Sequence, residues 1–255
     1  MSNPEYYNAV KELLYKMADD ELIMGHRNSE WTGIGPVLEE DIAFGSMAQD
    51  KVGHAYNFYQ LLHEMGEADP DIIAFQREEK KFKCCHLVEL PIGEYDFSLV
   101  RHFLFDHAEY LRFEMLSNST FEPLANLAKK YKGEIKYHVF HANTWIKQLM
   151  NGSEESKARI QPSFNELFAT AYSIFEPGPF EDTLAREGVF AGETVLQSKW
   201  EETVSSICSA NGIILAQVND KSLAYGGRKG YHTEYLSPLL NEMTEVLRSE
   251  PGAIW

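Results

Sequence analysis

Apolar side chains recur along most of this chain at alternating steps of three and four, the spacing that lines one face of an α-helix. Val10, Leu13, Leu14, Met17 and Met24 mark a first helix. It is expected to begin at Pro4 behind an Asn3 cap and to run to about Arg27. Residues 33–36 supply a turn. A second helix is expected from about Val37 to Met65, with Ala43, Met47, Leu61 and Leu62 inward, until Ala68-Asp69-Pro70 breaks it. Residues 71–96 are irregular and should form a connection with one short helix. A third helix begins near Phe97 and carries Leu99, Phe103 and Tyr110. The fourth follows a turn at 118–123 and reaches about Met150, where Asn151-Gly152-Ser153 should end it through a left-handed residue. Further helices are expected over 154–175, kinked or delayed by Pro162, over 194–209, and over 238–248, the last with Ser237 as cap and Pro238 in first position. No convincing run alternates in the β manner, and no repeat period occurs. The pattern predicts one all-α domain over 1–255, a bundle of four long antiparallel helices with additional helices attached.

The fourth helix carries the most informative polar positions. Leu124, Leu127, Tyr131, Glu134, His138, His141 and Trp145 share one face. Burying a glutamate and two histidines beside large apolar groups is costly unless each finds a partner, a proton or a metal. The other long helices also bring acids to their apolar stripes: Asp20 and Glu21 in the first, Asp50 with His54 in the second, Asp106 in the third.

Composition narrows the chemistry. The 255 residues are 44% hydrophobic and 24% charged, ordinary for a globular chain long enough to bury a substantial core. The formal charge of −16 opposes binding to nucleic acid or to anionic membranes. No apolar run reaches the roughly 18 residues of a membrane span, and the N-terminus lacks the pattern of a secretory signal. Three cysteines, at 84, 85 and 208, contain no CxxC pair, so neither a zinc nor a dithiol motif is present and a reducing, cytoplasmic setting is expected.

Carboxylate-bridged di-metal bundles use one glutamate from each of two helices and Glu-x-x-His from each of two others. This chain imitates that layout and fails in its detail. None of its nine histidines follows an acid by three residues; Lys51 and Ile135 stand three before His54 and His138. Asp50/His54 and Glu134/His138 are spaced by four, but about 1.4 such pairs would arise by chance from this composition. Three readings are open: a metal held at spacing four, a metal-free network in which buried acids accept hydrogen bonds from His, Tyr and Lys51, or helix phases that leave some of these groups solvated. The metal-free network is the expected one.

The segment Gly226-Gly-Arg-Lys-Gly-Tyr-His-Thr-Glu-Tyr-Leu-Ser-Pro-Leu-Leu-Asn-Glu-Met243 resembles the C-terminal signature of the C-type subunits of bacterial phenylacetyl-CoA epoxidases, in the phenylacetic acid catabolic family. Pro251-Gly252, Trp255, and the segments 27–31, 38–58, 73–82 and 88–91 resemble it too, so the likeness spans nearly the whole chain in order. The resemblance implies a ferritin-like fold and a place in a multicomponent monooxygenase that inserts one oxygen atom of O2 into the ring of phenylacetyl-CoA. It implies that a related A subunit holds the di-iron centre, that a reductase with flavin and iron–sulfur groups delivers electrons from NADPH, and that a small B subunit organises the complex. This chain would itself hold no cofactor, pair with the A subunit, and not be catalytic alone. A homodimer is the expectation when it is isolated. Asp20, Asp50, Lys51, His54, Asp106, Glu134, Ile135 and His138 would then be positions of a degenerate metal site, with Lys51 and Ile135 replacing ligand glutamates and Lys51 standing in for the metal's charge.

Gly226, Gly227 and Gly230 surround Arg228 and Lys229. Such a loop can converge backbone N–H groups on an anion. One reading is a contact of Gly227, Arg228, Lys229 and Gly230 with coenzyme A phosphates at the A-subunit boundary. The other is pairing with acids of a partner or of the chain itself. His232 is expected to cap or pack rather than act as a base. The rivals to a structural subunit are an autonomous di-iron oxidase or ferroxidase using Asp20, Asp50, His54, Asp106, Glu134 and His138, and a helical assembly protein of another pathway. No nucleophile motif supports a hydrolase.

Overall fold

The structure is a computed structural model that describes residues 4–250. Its helices, in chain order, are α1 (Pro4–Ser29), α2 (Leu38–Glu64), α3 (Pro70–Phe75), α4 (His86–Glu89), α5 (Tyr95–Leu116), α6 (Glu122–Met150), α7 (Glu154–Ala171), α8 (Glu181–Arg186), α9 (Glu193–Ala210), α10 (Leu236–Met243) and α11 (Glu245–Ser249). Single turns of 3-10 helix occupy Glu79–Lys81, Tyr172–Phe175, Lys221–Ala224 and Gly227–Lys229. No strand occurs among the described residues. The all-α prediction holds.

The six longest helices lie where the apolar periodicity places them. Short connections over 30–37 and 117–121 fold α1 back on α2 and α5 back on α6, and these are the two most intimate helix pairs. Carboxylate–imidazole contacts then join α2 to α6, and α7 and α9 cover the outer side of α5. Side chains such as Phe103, Phe164, Phe168 and Trp200 fill the space between α5, α7 and α9, with Trp200 stacked on Phe168 at 5.7 Å and donating from Nε1 to the Leu104 carbonyl at 2.9 Å.

α1 departs from the expectation of a single buried stripe. Every residue from Lys16 to Gly25 is buried. One side meets α2, and the other is wrapped by the connection after α3 and by the loop before α10. A helix covered all round must pair its acids: Asp19 accepts from Tyr59 Oη (2.6 Å), Arg77 and the Lys83 N–H (2.6 Å).

Several boundaries differ from expectation for local reasons. The connection over 71–96 holds two short α-helices and a 3-10 turn rather than one helix. The end of α6 is not left-handed: Asn151 has φ −101°, and Gly152 has no positive φ. The last carbonyls accept from the backbone N–H groups of Asn151 and Gly152 and are bonded further by side chains, Asn151 Nδ2 to Lys147 O (2.7 Å) and Ser156 Oγ to Leu149 O (2.7 Å). Ser153 caps α7 through the Ser156 N–H, and α7 starts without delay and continues through Pro162. Ser237 is not a cap; α10 begins one residue earlier at Leu236, without a side-chain cap, and Thr244 divides the expected last helix in two. The Asn3 cap, Pro251-Gly252 and Trp255 lie outside the described residues.

Replacing Trp200 by Ala should remove about 3–5 kcal/mol of stability, because a fully buried indole and its hydrogen bond are lost together. Denaturant unfolding of the purified variant measures this.

Candidate functional site: a lysine-centred polar core

Four helices deliver polar groups to the middle of the bundle. On α2 the inward row is Met47, Lys51, His54, Phe58, and on α5 it is His102, Asp106, Glu109, Phe113. Each row steps by four, three and four, so its members share one face. α1 adds Glu21, and α6 adds Glu134, His138 and His141.

Lys51 has no exposed surface. Its Nζ lies 2.7 Å from Asp106 Oδ1, 2.6 Å from Glu109 Oε2 and 3.7 Å from Glu21 Oε2, and 4.7 Å from the centre of the Phe105 ring. Burial alone would drive the ammonium toward its neutral form, but Asp106 and Glu21 outweigh it and hold the Lys51 pKa above its ordinary value. Asp106 responds in the opposite sense. Burial would raise its carboxyl, yet His102 and Lys51 together keep it well below the usual carboxylate range.

Asp50/His54 and Glu134/His138 do not bond within their own helices. They exchange partners between α2 and α6: His54 Nε2 meets Glu134 Oε2 at 2.7 Å, and His138 Nε2 meets Asp50 Oδ2 at 3.0 Å. His54 Nδ1 also points at Glu21 (3.4 Å), and its ring lies on Tyr131 with centroids 3.9 Å apart. Asp106 Oδ2 receives two imidazoles, His102 Nδ1 at 2.5 Å and His138 Nδ1 at 3.7 Å. Burial depresses His102 to about 4 despite Asp106. Burial also acts against His138, but the carboxylates of Asp106 and Asp50 reverse the direction and raise its pKa. Of the two imidazoles His138 is therefore the more readily protonated. A satellite forms around Glu40, which accepts from Trp145 Nε1 (2.6 Å) and Tyr95 Oη (2.7 Å) and meets His141 Nε2 at 3.0 Å.

Of the expected site positions, Asp50, Lys51, His54, Asp106, Glu134 and His138 come together. Ile135 is fully buried beside them and offers no ligand atom. Asp20 does not join: it lies outside this cluster and forms a two-pronged pair with Arg228, both bonds 2.7 Å. Glu109, His102 and Glu40 were not singled out from the sequence. The row His102, Asp106, Glu109 on α5 was the signal that could have found the first two.

The glycine loop also requires correction. Its N–H groups do converge on an anion, but the anion is internal: Glu176 Oε2 accepts from Gly226 N (2.7 Å) and Arg228 N (3.2 Å). Arg228 is 3% exposed and committed to Asp20 and to the carbonyl oxygens of Lys83 and Ile174, so it is not free to receive a coenzyme A phosphate. A Cβ at Gly227 would collide with the Cys84 carbonyl, and one at Gly230 with the Lys80 carbonyl, which explains the glycines as close packing against 80–85. Of the two cations only Lys229 is largely exposed. His232 was expected to cap or pack for want of an acid partner; the structure supplies one, Glu89, at 2.7 Å, and sets the ring's other nitrogen 3.1 Å from the Phe82 carbonyl.

The donor set of the core suits one internal cation and not two bridged metals. Glu21, His54 and Glu109 place ligand atoms within 4.8 Å of one another, but the Lys51 ammonium already bonds Glu109 and faces Glu21. A di-metal centre needs bridging carboxylates where Lys51 and Ile135 stand. The class is thus a helical bundle with the layout of a carboxylate-bridged oxidase and a lysine at its centre. Residues 1–255 match the family described as Phenylacetic acid catabolic protein, and the chain belongs to that family. It is 31% identical over 249 residues to the C subunit of the 1,2-phenylacetyl-CoA epoxidase of Escherichia coli (strain K12), covering 97% of this chain and 100% of that relative.

Lys51→Met leaves three buried carboxylates facing one another without their cation and should cost about 3–5 kcal/mol in denaturant unfolding. A second expectation concerns pH. His102 stays neutral in the folded chain down to about 4, whereas an unfolded imidazole takes up a proton near 6.5, so the unfolded state binds more protons between these values. Stability should fall as pH is lowered through that window, and His102→Gln should remove about one proton from the slope of unfolding free energy against pH. An unchanged slope would show that His102 is not the group responsible.

Proposed function

We propose that this chain is a structural, non-catalytic subunit of a multicomponent phenylacetyl-CoA 1,2-epoxidase acting in aerobic phenylacetate catabolism. The relationship to an epoxidase C subunit over essentially the full length supports the pathway and the place within a larger assembly. The observation that carries the non-catalytic reading is Lys51: its ammonium stands among Glu21, Asp106 and Glu109 where an oxygen-activating centre would need metal. In this reading the di-iron centre belongs to an A subunit, and the electrons come from a reductase bearing flavin and iron–sulfur groups. The assembly is completed by a B subunit, and all of it works in the cytoplasm. No described helix is long and apolar enough to cross a membrane.

This chain's own contribution is positional. A core locked by paired charges gives a rigid face against which a partner's site can be held oriented and closed. The reading assigns no coenzyme A contact to Arg228, whose guanidinium is occupied by Asp20.

The test is elemental analysis and turnover. The isolated chain should contain far less than one iron per molecule and leave phenylacetyl-CoA untouched. Co-expression with the A subunit, supplied with reductase and NADPH, should give the ring epoxide at a rate that neither protein supports alone. Two irons per isolated chain with O2-dependent turnover would establish the autonomous oxidase instead.

A further inference from the structure

Six of the sixteen large apolar residues that are exposed among the described residues fall within one short stretch: Ile34, Val37, Leu38, Ile42, Val52 and Tyr56. They lie on the outward side of α2 and in the turn that leads into it. From residue 42 to residue 60 the exposed positions are Ile42, Ser46, Gln49, Val52 and Tyr56, and none is charged. In a chain that is 24% charged with a net −16, an uncharged helix face of this length is not a solubilising surface.

The spacing says what shape it fits. Leu38, Ile42, Gly45, Gln49, Val52 and Tyr56 step by four, three, four, three and four, the seam on which a second helix packs. Beside the seam a groove of about 810 Å3 opens between α1 and α2, lined by Gly25, His26, Ser29, Ile42, Gly45 and Val52. Gly25 lets α2 approach closely, since a Cβ there would meet Val52 Cγ2 at 3.0 Å. On α6, Tyr137 and Phe140 are exposed as well, with the exposed Lys136 beside them.

Charge decides the occupant. Between α2 and α6 stand Asp50 and Glu134, 37% and 34% exposed, the outermost members of the buried network. A second copy of this chain would bring the same acids and the same net charge to the contact, which like-charge repulsion opposes. A partner that covers this face must present a helical apolar ridge flanked by lysine or arginine opposite the two carboxylates.

We infer that the outward face of α2, with the adjoining edge of α6, is where the epoxidase A subunit docks on this chain, through such a ridge bordered by cations. The inference rests on the reading of the chain as an epoxidase subunit and adds the surface and its chemistry. Docking there would shut Asp50 and Glu134 away from water and tie the partner's position to the His138 and His54 contacts beneath them.

The test is co-purification of tagged A subunit with this chain, for the wild type, for Ile42→Glu with Val52→Glu, and for a control pair on other surfaces, Ile214→Glu with Leu223→Glu. All four positions are exposed, so each variant should keep its circular-dichroism melting curve. The α2 pair should lower the recovered partner about tenfold or more, as charge placed inside an interface does, and the control pair should not. Wild-type association should weaken with added salt. Full recovery with the α2 pair overturns the inference. So does an α2 pair that abolishes only self-association measured by light scattering. Failure of the wild type to bind the A subunit overturns the reading beneath it instead.

Discussion

The fold is organised around one charge that has no exposed surface. Lys51 enters the space between four helices on an α2 row that it shares with Met47, His54 and Phe58, and its ammonium draws Asp106 and Glu109 of α5 and Glu21 of α1 toward it. Removing an ion pair from water costs several kcal/mol per ion, so such a cluster is tolerated only where geometry and further hydrogen bonds are good. Here the surplus negative charge is spread onto imidazoles: His102 and His138 share Asp106, and His54 bridges Glu21 and Glu134. Because these groups come from four helices, the cluster fixes how the helices sit relative to one another more specifically than apolar packing could.

The same solution recurs away from the centre. Asp20 is matched by Arg228, Glu193 by Arg112 and Lys16, and Asp19 by Arg77. Among the described residues nine carboxylates and six lysines and arginines are buried. An imbalance of three against a net −16 leaves most of the negative charge at the surface. That distribution makes the uncharged outer face of α2 stand out, since acids elsewhere are free to point at water.

How much of this was legible beforehand depended on the range over which each feature is decided. The periodicity of apolar residues set the existence and approximate limits of the six long helices, because a helix needs only its own sequence to define a buried side. The mismatch at Lys51 and Ile135 was also visible, as it concerns residues three apart on one helix. Helix ends were less legible: the α6 terminus closes through Ser156, seven residues past the carbonyl it bonds, where a glycine had suggested a left-handed turn.

Sequence by itself determined that this protein is helical, acidic and without the Glu-x-x-His pairs of a working di-metal bundle, since composition and spacing along one helix fix all three. Tertiary structure alone decided the partners of each buried charge. It turned Asp20 away from the core and onto Arg228, crossed His54 to Glu134 and His138 to Asp50, brought Glu109 and His102 into the cluster, and filled the glycine loop with Glu176. The physical reason is that a buried charge is satisfied by whichever opposite group lies within about 3–4 Å after folding. That distance is set by helix packing between residues far apart in the chain.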